Sequence, residues 1–158
     1  MKKLVLIGLG LFALRIEAAP AHKIQTVLEF ETMVGNFGPF IGAQNLIRGV
    51  PAGGAAWVVL GGVEGQLTLD GQLDVEVRGL VLDSTHMNPV PNFRGLVSCL
   101  SIGDDGEVST VNISTEDFPA DTDGNSTITA AVELPSPCFA PIIFVTSPGG
   151  AWFSITGF

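Results

Sequence analysis

Tyrosine is missing from all 158 residues, and cations are scarce. Seven Lys and Arg stand against 16 Asp and Glu, for a formal net charge of −9 at pH 7. So little positive charge cannot neutralise a row of phosphates, which argues against nucleic acid and against anionic membrane surfaces as partners. Histidine occurs twice, as His22 and His86, and cysteine twice, as Cys99 and Cys138. That supply makes no C-x-x-C pair, no H-E-x-x-H helix and no zinc ligand set at a recognised spacing. A G-x-S-x-G nucleophile elbow and a G-K-[ST] phosphate loop are also missing. His86, alone in the body of the chain, has no partner at a spacing that would make it a general base.

What is present reads first as an address. Met1-Lys2-Lys3 is followed by the uncharged apolar run Leu4–Leu14 and then by Ala18, Ala19 and Ala21. This is the layout of a secretory signal peptide of bacterial type, with Ala19-Pro20-Ala21 as the cleavage site. Its apolar core is too short to span a bilayer, and no later segment has about 18 uncharged apolar residues. The expected organisation is a signal peptide over 1–21 and one domain over 22–158. Cleavage takes Lys2, Lys3, Arg15 and Glu17 away, leaving 4 basic and 15 acidic side chains and a formal net charge of −11. The mature chain is expected to be secreted, outside the cell or on its surface, with no transmembrane segment. In an oxidising compartment Cys99 and Cys138 are expected to form a disulfide.

The body of the chain is 46% hydrophobic, and its 20 Gly and 10 Pro fall between short apolar runs. Val63–Leu82 alternates cleanly, with Leu67, Leu69, Leu73, Val75 and Val77 against Gln66, Thr68, Gln72, Asp74, Glu76 and Arg78. Asp70-Gly71 between the halves predicts a tight hairpin with positive φ at both central residues. Strands are also predicted at His22–Val34, Phe93–Ile102, Glu107–Ser114, Ser126–Leu134, Pro141–Ser147 and Ala151–Gly157. Gly42–Val50 and Ala55–Leu60 hold Gly and Pro that a helix interior would not tolerate, so they read as strands and turns. The fold class expected is all-β: an antiparallel β-sandwich, or closed barrel-like sandwich, of nine or ten short strands. An outer-membrane barrel would carry aromatic girdles, and its last strand would alternate toward lipid. Stepping back from Phe158 gives Thr156, Ser154 and Trp152, which is not a lipid-facing row.

Three groups of side chains are candidates for chemistry. Asp121, Asp123 and Asn125, with Asp104, Asp105 and Glu107 in a second turn, carry the oxygens a calcium ion takes. The EF-hand template does not fit them, and Asp, Asn and Gly are also plain turn residues. Trp57 and Trp152 could stack on sugar rings, although both sit in apolar surroundings suited to a core. Asn112-Ile-Ser114 and Asn125-Ser-Thr127 match the N-glycosylation acceptor. No cofactor is called for, calcium apart.

Two resemblances add to this. Val77–Leu82, Val97–Ile102, Leu134–Cys138 and Ala140–Phe153 resemble a group of exported bacterial β-proteins to which no activity is attached. Gly42-Ala-Gln-Asn45, followed by Gly65–Gly79, looks like the opening of a CHRD-type extracellular β domain. That family continues into a His-x-His segment; here only His86 stands near that place, so its histidine site is not carried over. The function expected is non-catalytic: extracellular binding of a protein or glycan, or a surface or assembly role that includes self-assembly. A calcium-assisted carbohydrate-binding module is the alternative, and a small secreted hydrolase the third reading.

Overall fold

The computed structural model describes residues 25–156. The expected signal peptide, over 1–21, lies outside the described residues, as does His22. The strands are β1 (Thr26–Phe30), β2 (Val34–Gly35), β3 (Trp57–Thr68), β4 (Gln72–Leu82), β5 (Asn92–Ile102), β6 (Val108–Ser114), β7 (Phe118–Pro119), β8 (Ser126–Ala131), β9 (Phe139–Thr146) and β10 (Trp152–Ile155). One sheet runs β1-β3-β4-β8; the other runs β2-β10-β9-β5-β6, with β7 pairing onto β5. Every strand pair is antiparallel. The chain is an all-β sandwich, as the strand spacing predicts. No helix among the described residues is long and apolar enough to cross a membrane.

Alternation builds the layer between the sheets. Leu73, Val75 and Val77 of β4 point inward with Ile128 of β8, and meet Phe93, Val97 and Cys99 of β5 and Ile143 and Val145 of β9. Fully burying one such side chain contributes about 1.5–3 kcal/mol, so this layer holds the sheets face to face. Gly95 marks one close approach, because a Cβ there would stand 2.8 Å from Leu73 Cδ2. The opposite face of β4 carries Asp74, Glu76 and Arg78. Arg78 reaches Glu64 at 2.9 Å and Glu76 at 2.8 Å, an exposed trio worth little to stability.

Two local expectations change. The Asp70-Gly71 hairpin forms, but only Gly71 has positive φ, at 85°. The Gly71 N–H donates to Thr68 O at 3.0 Å, and the Thr68 hydroxyl accepts from the Gln72 N–H at 2.9 Å. The loop therefore has three residues, Leu69 to Gly71, where a type I turn ends in one left-handed glycine. The second change is at Leu60-Gly61-Gly62. Val59 pairs with Leu80 and Gly62 with Arg78, so two residues oppose Gly79 alone. A bulge absorbs the glycines, and β3 runs on from Trp57 instead of beginning at Val63.

The expected first strand, His22–Val34, is divided as well. Thr26–Phe30 pairs with β3, whereas Val34–Gly35 crosses to the other sheet and pairs with β10. Gly42–Val50, expected to be extended, forms no strand; Ile47 and Val50 make only an isolated bridge. The apolar residues of this stretch have another use.

Candidate functional site

The six-stranded sheet is apolar on both faces. In β5, β9 and β10 the residues Leu96, Phe144, Trp152 and Ile155 face away from the inter-sheet core, yet each is buried. Strands buried on both faces lose alternation and read as continuous apolar runs. Their cover is the 37–56 segment, which lays Ile47, Val50 and Ala52 over that outer face.

Asn36 ties the two ends of the cover together. Its side chain is fully buried; Nδ2 donates to Gly53 O at 3.1 Å, and Oδ1 accepts from the Trp57 N–H at 2.9 Å. Its own N–H donates to Phe153 O at 2.9 Å, fastening the start of the segment to β10. Further along, the Trp152 N–H donates to Pro51 O at 2.8 Å, and the Gly53 N–H to Trp152 O at 2.9 Å. In the middle, Arg48 and Gly49 take φ of 49° and 79°, and Ile47 and Val50 exchange both backbone bonds. That is a two-residue primed turn of the kind that glycine favours. Arg48 Nη1 donates to Ser98 O at 2.8 Å, while Asn112 Nδ2 donates to Arg48 O at 2.9 Å. Partial burial lowers the Arg48 pKa below its ordinary value, still leaving it a cation at neutral pH. The cover is pinned at both ends and at its tip.

Between these pins a groove stays open. Val34 and Gly35 of β2, Phe37, Phe40 and Ile47 of the cover, Ile142 of β9, and Trp152, Ile155 and Thr156 enclose about 440 Å³. None of these residues is ionisable, and Thr156 brings the only side-chain hydroxyl. Phe40 and Trp152 place their ring centres 6.4 Å apart across it, and Phe144 backs Trp152 at 6.1 Å. The rim is exposed: Phe37 is 58% accessible and Phe40 37%, with Leu46 at 56% on the same segment. Phe37, Phe40 and Leu46 thus leave an apolar patch open to water on one loop.

The residues singled out from sequence are placed as follows. Cys99 and Cys138 are bonded, with S–S 2.04 Å. Trp57 is buried between the sheets, stacked on Phe153 at 3.8 Å, and Trp152 is 2% exposed on the groove floor. The structure does not bring the two tryptophans together on a surface. Asp121 accepts from Asn125 through both its N–H, at 2.8 Å, and its Nδ2, at 3.0 Å. Those bonds hold the Asp121 carboxyl below the usual carboxylate range. Asp105 Oδ1 accepts from the Glu107 N–H at 3.0 Å, closing its own turn. The turn holding Asp104, Asp105 and Glu107 follows β5, whereas the Asp121–Asn125 turn follows β7, which pairs with the other end of β5. The two acidic turns are therefore separated by that strand, roughly 30 Å at 3.3 Å per residue. Among the described residues no three His, Cys, Asp or Glu side chains converge on a point. His86 lies exposed in the turn after β4, at φ 52°.

Sequence reasoning passes over Phe37, Phe40 and Ile47. Their signal is faint but physical: bulky apolar residues in a Gly- and Pro-rich stretch that cannot alternate as a strand must cover something or be covered.

Fold and groove together define a class: an antiparallel β-sandwich with a pinned loop over one outer face. No family model matches the chain, and no curated protein or solved structure matches it either.

Proposed function

We propose that this chain is an exported, non-catalytic binding domain, and that the groove beneath the 37–56 segment receives an apolar group. One observation carries the reading: among the described residues nine line the groove, and none of them is ionisable. Walls with no acid or base, whose one hydroxyl, on Thr156, is engaged by the Ile143 N–H at 2.9 Å, are suited to burying an apolar group. The volume is that of a site for one small molecule or one large side chain of a partner. Export is supported by the Cys99–Cys138 bond, since such bonds persist in oxidising compartments.

The test uses N-phenylnaphthylamine, an uncharged dye that brightens in apolar surroundings. Titration into the oxidised protein is expected to give a saturable rise that is lost in Phe40→Ser. Bound ligand is also expected to raise the melting point, since it stabilises the native state by about 2.7 kcal/mol at a hundredfold excess over Kd. A rise that never saturates, or one unchanged in Phe40→Ser, rejects the groove as the site.

A further inference from the structure

Among the described residues the six-stranded sheet ends in β6, an edge with none of the usual protections. It spans seven residues, Val-Ser-Thr-Val-Asn-Ile-Ser, without charge, proline or register shift against β5. Edges left in this state pair with other strands unless something blocks them. The other three edges differ. β1 carries Glu29 and a register shift, and β2 is two residues long. β8 sets Thr127 and Thr129 directly beside Glu76 and Asp74, so a partner there would meet the carboxylates of the outer face.

The ladder shows which groups of β6 are free. The Gly103 N–H donates to Glu107 O at 3.0 Å, and the Thr115 N–H to Gly95 O at 2.9 Å. These bracket the β5–β6 register, so Ser109, Val111 and Ile113 bond inward and Val108, Thr110, Asn112 and Ser114 aim their N–H and C=O outward. We propose that a second copy of this chain adds to that edge, β6 against β6 antiparallel, about a two-fold axis at Val111. In that register Val108 faces Ser114 of the second copy and Thr110 faces Asn112, so every outward donor meets an outward acceptor. No charged residue lies opposite another anywhere along the seven. For a chain this acidic, β6 is the edge that lets an equally acidic copy approach closely. Beyond its ends this register sets Glu116 of one copy beside Asp105 and Glu107 of the other, so the dimer is predicted to tighten as salt screens them. Joining by ion pairs would give the opposite salt dependence.

Sedimentation of the oxidised mature chain tests this, over about 10 µM to 1 mM where modest interfaces associate. A monomer–dimer equilibrium is expected that shifts toward dimer between low and high NaCl. Thr110→Pro removes one outward N–H and leaves the inward bonds of 109 and 111 in place, as edge strands tolerate. It is expected to weaken the dimer at least about tenfold with an unchanged melting point, whereas Thr110→Val should dimerise as the parent does. Should the proline variant fold poorly, Thr110→Asp sets two carboxylates beside the axis and is expected to give monomer. A chain monomeric throughout at high salt overturns the proposal, and this includes the case in which its own residues cover β6. A dimer indifferent to Thr110→Pro and Thr110→Asp overturns it as well, by placing the contact elsewhere.

Discussion

Cys99 and Cys138 are bonded at the point where β9 departs from β5, with their Cα atoms 5.1 Å apart. Leu100 pairs with Phe139 and Ser98 with Ile142, so Ala140 and Pro141 together face Cys99 alone. Regular pairing lapses at that bulge, and the bond holds the strands across it.

The double variant Cys99→Ala/Cys138→Ala should therefore lose about 3–4 kcal/mol, the loop-entropy value for a separation of 39 residues. Urea unfolding of the oxidised parent and the variant measures it. Hydrogen exchange should rise first at Phe139 and Ala140, while the ladder from Ile142 to Thr146 stays protected. A loss below about 1 kcal/mol would fall outside the range for a native disulfide of this span.

Asn36→Ala removes a buried side chain that both donates to Gly53 and accepts from Trp57. Unpaired buried groups cost about 1–3 kcal/mol each, so a loss of about 2–3 kcal/mol is expected in urea. Because Asn36 joins both ends of the 37–56 segment, dye binding in the groove should fall more than in an equally destabilised core variant. Val145→Ala is the comparison, since Val145 faces the inter-sheet layer. Equal loss of binding in both would separate Asn36 from the groove.

Two glycines with almost the same φ should respond differently to alanine. Gly71 has φ 85° and its added Cβ would lie 1.9 Å from Val132 O; Gly106 has φ 79° and nothing within 4 Å. Gly106→Ala should cost only left-handed strain, about 1–2 kcal/mol. Gly71→Ala adds a clash with backbone that cannot step aside, and about 3 kcal/mol or more is expected. Thermal unfolding of the pair reads the difference.

Asp121 predicts a pH dependence. Its carboxylate accepts the Asn125 N–H first and the Asn125 side chain second, and both hold its pKa down. A depressed native pKa adds stability that is present above the unfolded value and lost as pH falls through the native one. The 121–125 turn should therefore persist at neutral pH and open only in acid, below where ordinary aspartates protonate. NMR titration of the Asp121 carboxyl beside the Asn125 amide checks it: the two should move together, and Asp121→Asn should remove the transition.

The all-β class and the β4, β5, β6 and β8 strands were legible because Leu73, Val75, Val77 and Ile128 alternate against polar neighbours. The Cys99–Cys138 bond was legible from the expected export and from the lack of other ligands. The groove was not. Its floor, Ile142, Trp152 and Ile155, lies on strands apolar on both faces, where periodicity cannot say which face is outermost. Its roof comes from Phe37, Phe40 and Ile47, far away in sequence, and placed by one buried Asn and a turn at Arg48-Gly49 that sequence reading passed over. Asp70-Gly71 showed a hairpin but not its loop length, because Thr68 closes the turn with its own hydroxyl.

The covering segment also sets an order of assembly. It is made early, but its seat is built by β9 and β10; Phe40 meets Trp152 with ring centres 6.4 Å apart, across 112 residues of chain (152 − 40). A chain emerging amino-end first must carry Phe37, Phe40 and Ile47 unseated until nearly all of it has been delivered. Contacts so distant in sequence form slowly, and apolar segments kept waiting are prone to wrong partners. The 37–56 segment is thus the stretch that waits longest for its seat as the chain is delivered.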